Sequence, residues 1–143
     1  MLYLDTSALM KVIRPEPESA ELRNWLDDRP DQLLATSALA EVELPRALRR
    51  LGEVERLSQA FELLEDLLVI EIDAEVRRTA AGLPEPLLRS LDAIHVASAY
   101  QLRPDLTAII TYDLRMAGAI DSAVTVVGPG ASAMAAGSAA GRS

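Results

Sequence analysis

The stretch "LYLDTSALMKVI", residues 2–13, decides how the rest of the chain is read. Three apolar residues stop at Asp5, and a helix-forming run follows at once, with no turn residues between. A short buried strand feeding directly into a helix is the opening half of a β-α-β unit. Thr6 or Ser7 is the expected helix cap, although an aspartate at a strand end, such as Asp5, is also a common one. "RPEPE" (14–18) breaks the helix. "SAELRNWLDD" (19–28) then predicts a helix with Leu22, Trp25 and Leu26 on one face.

The alternation continues along the chain. "QLLAT" (32–36) reads as a strand, and "ALAEVELPRALRRL" (38–51) as a helix capped by Thr36 or Ser37 and bent at Pro45. "EVERLSQAFELLEDL" (53–67) predicts a helix with Val54, Leu57, Phe61 and Leu64 on its buried face. "LVIEI" (68–72) is a strand, and "AEVRRTAAGL" (74–83) a helix ending near Gly82. "PEPLLR" (84–89) is a loop, and a helix runs from about Leu91 to Leu102. "TAIIT" (107–111), "LRMAGAI" (114–120) and "VTVV" (124–127) give strand, helix, strand. Strands separated by helices imply an α/β fold with a parallel sheet covered on both faces. Residues 1–128 form the expected domain. The Gly/Ala/Ser-rich tail 129–143 has too little apolar surface to pack and is expected to be disordered.

Composition narrows the chemistry. The chain has 143 residues, one domain's worth, and 50% hydrophobic content supports a real core. Without cysteine there are no disulfides, thiolate nucleophiles or cysteine-based zinc sites. That composition fits a cytoplasmic location. The first residues are not read as a secretion leader, and no apolar run is long enough for a membrane helix. The net charge of −8 excludes binding nucleic acid by bulk attraction. Lys11 is the one lysine among 14 basic residues, the rest being arginine, which suits bidentate phosphate contacts.

Four carboxylates stand where an open α/β sheet builds its sites, outside the carboxyl ends of strands. Asp5 follows the first strand, and Asp113 follows "TAIIT" by two residues. Asp92 lies in the first turn of its helix, and Glu41 or Glu43 early in the helix after the second strand. Each has an ordinary reading: a helix cap, an answer to a helix dipole, a turn residue, a solvated charge. Gathered together they repel, two such charges about 4 Å apart by about 4 kcal/mol at an effective dielectric of 20. They would protonate or hold a cation, and oxygen-only ligands favour Mg²⁺ or Mn²⁺. His95, one turn after Asp92 on an Ala/Ile/Val helix, reads as a packed supporting residue rather than a base. Ser7 or Ser98 could serve a Ser-His-Asp hydrolase, but the chain has no GxSxG elbow.

The blocks "YLDTSALMK" (3–11), "TSALAEVELPRALRR" (36–50), "LDAIHVASA" (91–99) and "IITYDLRMAGAI" (109–120) resemble those of PIN-domain proteins, in family order. The nearest group is the VapC-like toxins of toxin–antitoxin pairs. The resemblance implies a three-layer α/β/α sandwich on a short parallel sheet and a Mg²⁺- or Mn²⁺-dependent ribonuclease. It implies that Asp5, Asp92 and Asp113 hold metal and that Glu43 acts through a water. Thr6, Ser7 and Thr111 fall where the family has orienting hydroxyls. The implied partners are RNA, a second copy of the chain and a cognate antitoxin whose basic residue can enter the acidic site. Arg46, Arg49, Arg50 and Arg115 are candidate phosphate contacts. Glu43 is preferred to Glu41 because the two point about 200° apart on a regular helix. Glu43 also precedes the x-x-R-A pattern, here "ELPRA". A haloacid-dehalogenase-type phosphatase lacks its second aspartate, where Ser7 stands, and its late lysine. A PIN module that only binds a partner is the remaining alternative.

Overall fold

The structure is a computed structural model and describes residues 1–131. Five parallel strands form one sheet in the order β3-β2-β1-β4-β5: β1 Leu2–Leu4, β2 Leu34–Ser37, β3 Leu68–Ile70, β4 Ala108–Ile110 and β5 Val126–Val127. The chain starts in the middle strand, winds outward to β3, then returns to the other side of β1. The direction of winding therefore reverses between β1 and β4, which are paired Leu2 to Ala108 and Leu4 to Ile110. A crevice opens at the carboxyl ends of the strands at such a reversal.

The strands are short apolar runs because both faces of the sheet are covered. Successive side chains alternate between faces. Leu2, Leu4, Ala108 and Ile110 meet helices α1 (Thr6–Ile13), α2 (Ser19–Asp27), α3 (Ala40–Arg50) and α4 (Leu57–Glu65) through Leu9, Leu22, Leu44, Leu48 and Leu64. Tyr3, Ala35 and Ile109 face the other way, onto Val96, Ala99 and Met116. Those residues belong to α6 (Ser90–Tyr100) and α7 (Leu114–Ala119), and α5 (Ala74–Ala81) packs against α6. The expected α/β/α sandwich is therefore present. Truncating a fully buried residue such as Leu44 to Ala removes about 2–5 kcal/mol.

Several local expectations change. Asp5, not Thr6 or Ser7, caps α1, accepting from the Ala8 N–H. The hydroxyls of Thr6 and Ser7 are engaged by carboxylates instead. Neither Thr36 nor Ser37 caps α3, whose N-cap is Leu39. Thr36 donates to the Leu4 carbonyl, while Ser37 accepts from the Leu39 N–H. Assigned helix runs through Pro45, which is buried. The 53–67 helix is split into a 3₁₀ turn, Val54–Arg56, and α4. Its buried face is Leu57, Ala60 and Leu64, leaving Val54 and Phe61 exposed. The change of helix type takes Val54 out of the 3.6-residue register, while Phe61 lies at the edge of the buried stripe within α4. Within the stretch read as a tail, the Pro129 carbonyl accepts from the Tyr112 hydroxyl, and Gly130 (φ +86°) abuts Glu21 of α2. The rest of that stretch, 132–143, lies outside the described residues.

Candidate active site

Asp5 is buried at the end of β1, only 4% exposed. Oδ1 accepts from the Ser7 hydroxyl at 2.6 Å and the Ala8 N–H at 3.0 Å, and Oδ2 from the Thr111 hydroxyl at 2.6 Å. Those hydroxyls in turn accept backbone N–H groups after β4: Tyr112 to Ser7 and Asp113 to Thr111, each at 3.0 Å. Asp5 is thus tied across the β1–β4 reversal by two linked bonds that strengthen one another. Burial pushes its carboxyl above the usual range, against the charge of His95 and the bonds from Ser7, Thr111 and Ala8. A cation beside it would offset that desolvation.

A second, partly buried network fixes Glu43. Its Oε1 accepts from the Thr6 hydroxyl and from His95 Nε2, both at 2.7 Å. Half-burial pushes the Glu43 carboxyl up, but the His95 and Thr6 bonds and the charges of His95 and Arg50 outweigh it. The group is held below the usual carboxylate range and stays ionised. A carboxylate only accepts, so Nε2 carries the donated proton. Nδ1 lies 2.6 Å from the Tyr3 hydroxyl, which burial first, then the charges of Asp5 and Glu43, keeps protonated. Glu41, two residues earlier, is exposed.

The third part is built around an exposed cation, Arg89. Asp113 caps α7, its Oδ1 accepting from the N–H groups of Arg115 (2.9 Å) and Met116 (3.2 Å). Its Oδ2 faces Arg89, whose Nη2 is 3.7 Å away. Arg89 Nε donates to Asp92 Oδ2 at 3.1 Å. One guanidinium therefore spans two carboxylates, with its own side chain 66% exposed.

The four carboxylates are thus connected in sequence, each to a neighbour rather than all to one another. Thr111 links Asp5 with the Asp113 backbone, Arg89 links Asp113 with Asp92, and Thr6, beside Asp5, holds Glu43. Among the described residues, no three acidic or histidine side chains are already drawn together tightly enough to form a metal cage. The donor set nevertheless fits a hard cation. It is all oxygen, it includes a buried carboxylate without an ion pair among the described residues, and a cationic guanidinium stands between Asp92 and Asp113. Arg46, Arg49, Arg50 and Arg115 are exposed, and only Arg50 acts on the charge of Glu43. A cavity of about 420 Å³ lies elsewhere, between α5, the 83–90 segment and α6, and includes none of the four carboxylates. That cavity is lined by Arg77, Glu85 and Ser90 as well as by apolar residues.

Sequence reasoning missed two members of these networks. Tyr3 was legible only as a core residue, though it lies on the strand face opposite Leu2 and Leu4, toward the His95 helix. Arg89 fell in the loop before α6, yet its three-residue separation from Asp92 is the spacing of a helical ion pair.

Comparison with known proteins agrees with this architecture. The PIN-domain family model matches residues 2–119. The ribonuclease VapC35 of Mycobacterium tuberculosis is 50% identical over 134 residues, covering 91% of this chain and 98% of that protein. Ribonuclease VapC47 from the same species is 41% identical, covering 92% and 98%. The chain belongs to the PIN-domain family, within its VapC group. Among solved structures, a toxin–antitoxin complex from Klebsiella pneumoniae superposes with a TM-score of 0.68 at 23% identity, covering 90% of this chain and 98% of that one. VapC20 of M. tuberculosis, a toxin that cleaves the sarcin–ricin loop, also gives 0.68, at 15% identity with 83% and 95% covered. These likenesses show the fold.

Proposed function

We propose that the protein is a metal-dependent ribonuclease and the toxin of a toxin–antitoxin pair, acting in the cytoplasm as a homodimer. The observation that carries this reading is the linkage of Asp5, Asp92, Asp113 and Glu43 at the strand reversal of a PIN fold. Near-full-length identity to proteins named ribonuclease VapC supports the same activity. Asp5, Asp92 and Asp113 would hold Mg²⁺ or Mn²⁺, which when bound supplies ionised water and neutralises charge on a phosphate. Thr6 and His95 hold one oxygen of Glu43, so its other oxygen is the one available to take a proton from water. Ser7 and Thr111 keep Asp5 from rotating, and Arg46, Arg49, Arg50 and Arg115 offer phosphate contacts around the rim. The solved relative that is a toxin–antitoxin complex supports an antitoxin as partner, one that offers a basic residue to the acidic rim.

A partner-binding module without catalysis is the second reading, favoured by the Arg89 guanidinium standing between Asp92 and Asp113. Purified protein incubated with total RNA separates the two. Cleavage should require Mg²⁺ or Mn²⁺, cease on chelation and be absent from Asp5→Ala. Expression in a bacterial host lacking the antitoxin should arrest growth, with Asp5→Ala relieving the arrest. Equal arrest by the mutant, or chelator-resistant cleavage, contradicts the nuclease reading.

A further inference from the structure

We infer that Arg89 is a built-in exchangeable cation. Its guanidinium holds the Asp92–Asp113 pair, yields those oxygens to the divalent ion, and then engages the RNA phosphate beside it. The inference rests on the metal-nuclease reading and adds to it a residue that controls loading of the site.

Three observations lead there. First, Arg89 reaches one oxygen on each carboxylate that no other group among the described residues holds. Asp113 Oδ1 is committed to the α7 N–H groups, so Oδ2 is its free ligand, and Oδ2 is the atom facing Arg89. On Asp92 the engaged oxygen is likewise Oδ2. A divalent ion joining Asp92 to Asp113 therefore competes with this guanidinium for the same side. Second, the bridge is built to break. Arg89 is 66% exposed, and one contact is a 3.7 Å ion pair rather than a bidentate fork. Exposed pairs of this kind are weak and salt-screened. A single positive charge also half-neutralises two carboxylates, where a divalent ion neutralises both. Third, the displaced group has nowhere distant to go. Arg89 is the N-cap residue of α6 (φ −68°, ψ 152°), anchored one turn before Asp92 on a helix whose buried face is packed against the sheet. Its five donors then lie at the rim, where an anionic oxygen of the substrate is the natural partner. Arg46, Arg49 and Arg50 lie on α3 and make no ion pair to any carboxylate among the described residues, so they have no equivalent exchange.

The test is Mn²⁺ titration by calorimetry at low ionic strength on the full chain, comparing wild type, Arg89→Gln and Arg115→Gln. Arg115→Gln removes the same charge beside Asp113 without touching the bridge. Removing a competitor that occupies the site most of the time tightens the apparent metal affinity by the reciprocal of the vacant fraction. Arg89→Gln should bind Mn²⁺ on the order of fivefold more tightly, as a weak exposed pair allows. Arg115→Gln should move affinity less, and added NaCl should erase the difference. In a Glu43→Gln background, used to block cleavage, Arg89→Gln should weaken binding of a short single-stranded RNA with Mn²⁺ present and leave it unchanged without. Arg89→Lys, which keeps the charge but loses the fork, should fall between wild type and Arg89→Gln and serves if the glutamine variant does not fold. Metal affinity equal in Arg89→Gln and Arg115→Gln, or an RNA defect independent of Mn²⁺, overturns the exchange while leaving the metal site intact. Failure of wild type to bind Mn²⁺ at all overturns the metal reading and this inference together.

Discussion

The candidate site has two halves made differently. Around Asp5 and Glu43, a buried and a half-buried carboxylate are satisfied by the neutral or ring partners Ser7, Thr6, Thr111 and His95, with Tyr3 behind His95, at 2.6–2.7 Å. Around Asp92 and Asp113 the contacts are ionic, longer and shared with a guanidinium that is mostly in water. Buried networks are costly to disturb, because each lost bond strands its partner. Exposed ion pairs exchange at little cost. On the proposed reading, the first half holds geometry, with Asp5 as a further ligand, and the second admits and releases the cation.

That division can be broken first at the chemistry. Glu43→Gln keeps the shape and should lower metal-dependent RNA cleavage by roughly 100-fold or more, the usual scale for a lost proton acceptor. Glu41→Gln, which removes an exposed charge from the same helix, should cleave near the wild-type rate. Single-turnover assays on one RNA measure both, and the reverse ranking would mean that Pro45 has rotated the first turn of α3.

Stability gives the next largest difference. Tyr3→Phe leaves His95 Nδ1 without its partner inside the core and should cost about 1–3 kcal/mol in urea unfolding. Arg89→Ala removes a surface bridge and should cost less than about 1 kcal/mol. Similar losses for the two would erase the distinction between the halves.

A smaller effect separates them by pH. Burial raises the Asp5 pKa, so the metal-free wild type is favoured by this group below the unfolded value and loses that contribution as pH rises through the folded one. Asp5→Asn has no charge to bury and can still cap α1. In chelator it should melt no lower than wild type at neutral pH, with its relative advantage shrinking toward acid. Thermal melts between acid and neutral pH check the slope, and a mutant that melts far below wild type throughout would show that hydrogen bonding, not desolvation, dominates at Asp5.

The fold was legible because strands and helices alternate with distinct periods: "LYL" and "TAIIT" are too short and apolar for anything but buried strands, and their carboxyl ends place Asp5 and Asp113 on one edge. That Glu41 and Glu43 point apart was legible from helix geometry, and the packing of His95 from its apolar helix. Caps were not, because Thr6, Ser7, Thr36 and Ser37 have several backbone and carboxylate partners within reach, and only the folded neighbourhood selects among them. Val54 misled because a 3₁₀ turn shifts the phase before α4 begins, and Phe61 because it sits at the edge of the Leu57–Ala60–Leu64 stripe within α4. Tyr3 and Arg89 escaped for opposite reasons: one resembles core, the other resembles loop.

The most direct test of the account is whether the surface half carries the cation. Calorimetric Mn²⁺ titration of wild type and Asp92→Asn, with folding checked by circular dichroism, decides it. Asp92→Asn should retain the fold and lose measurable Mn²⁺ binding. A folded Asp92→Asn protein that binds Mn²⁺ with unchanged affinity would contradict the proposed role of Asp92 in holding the cation.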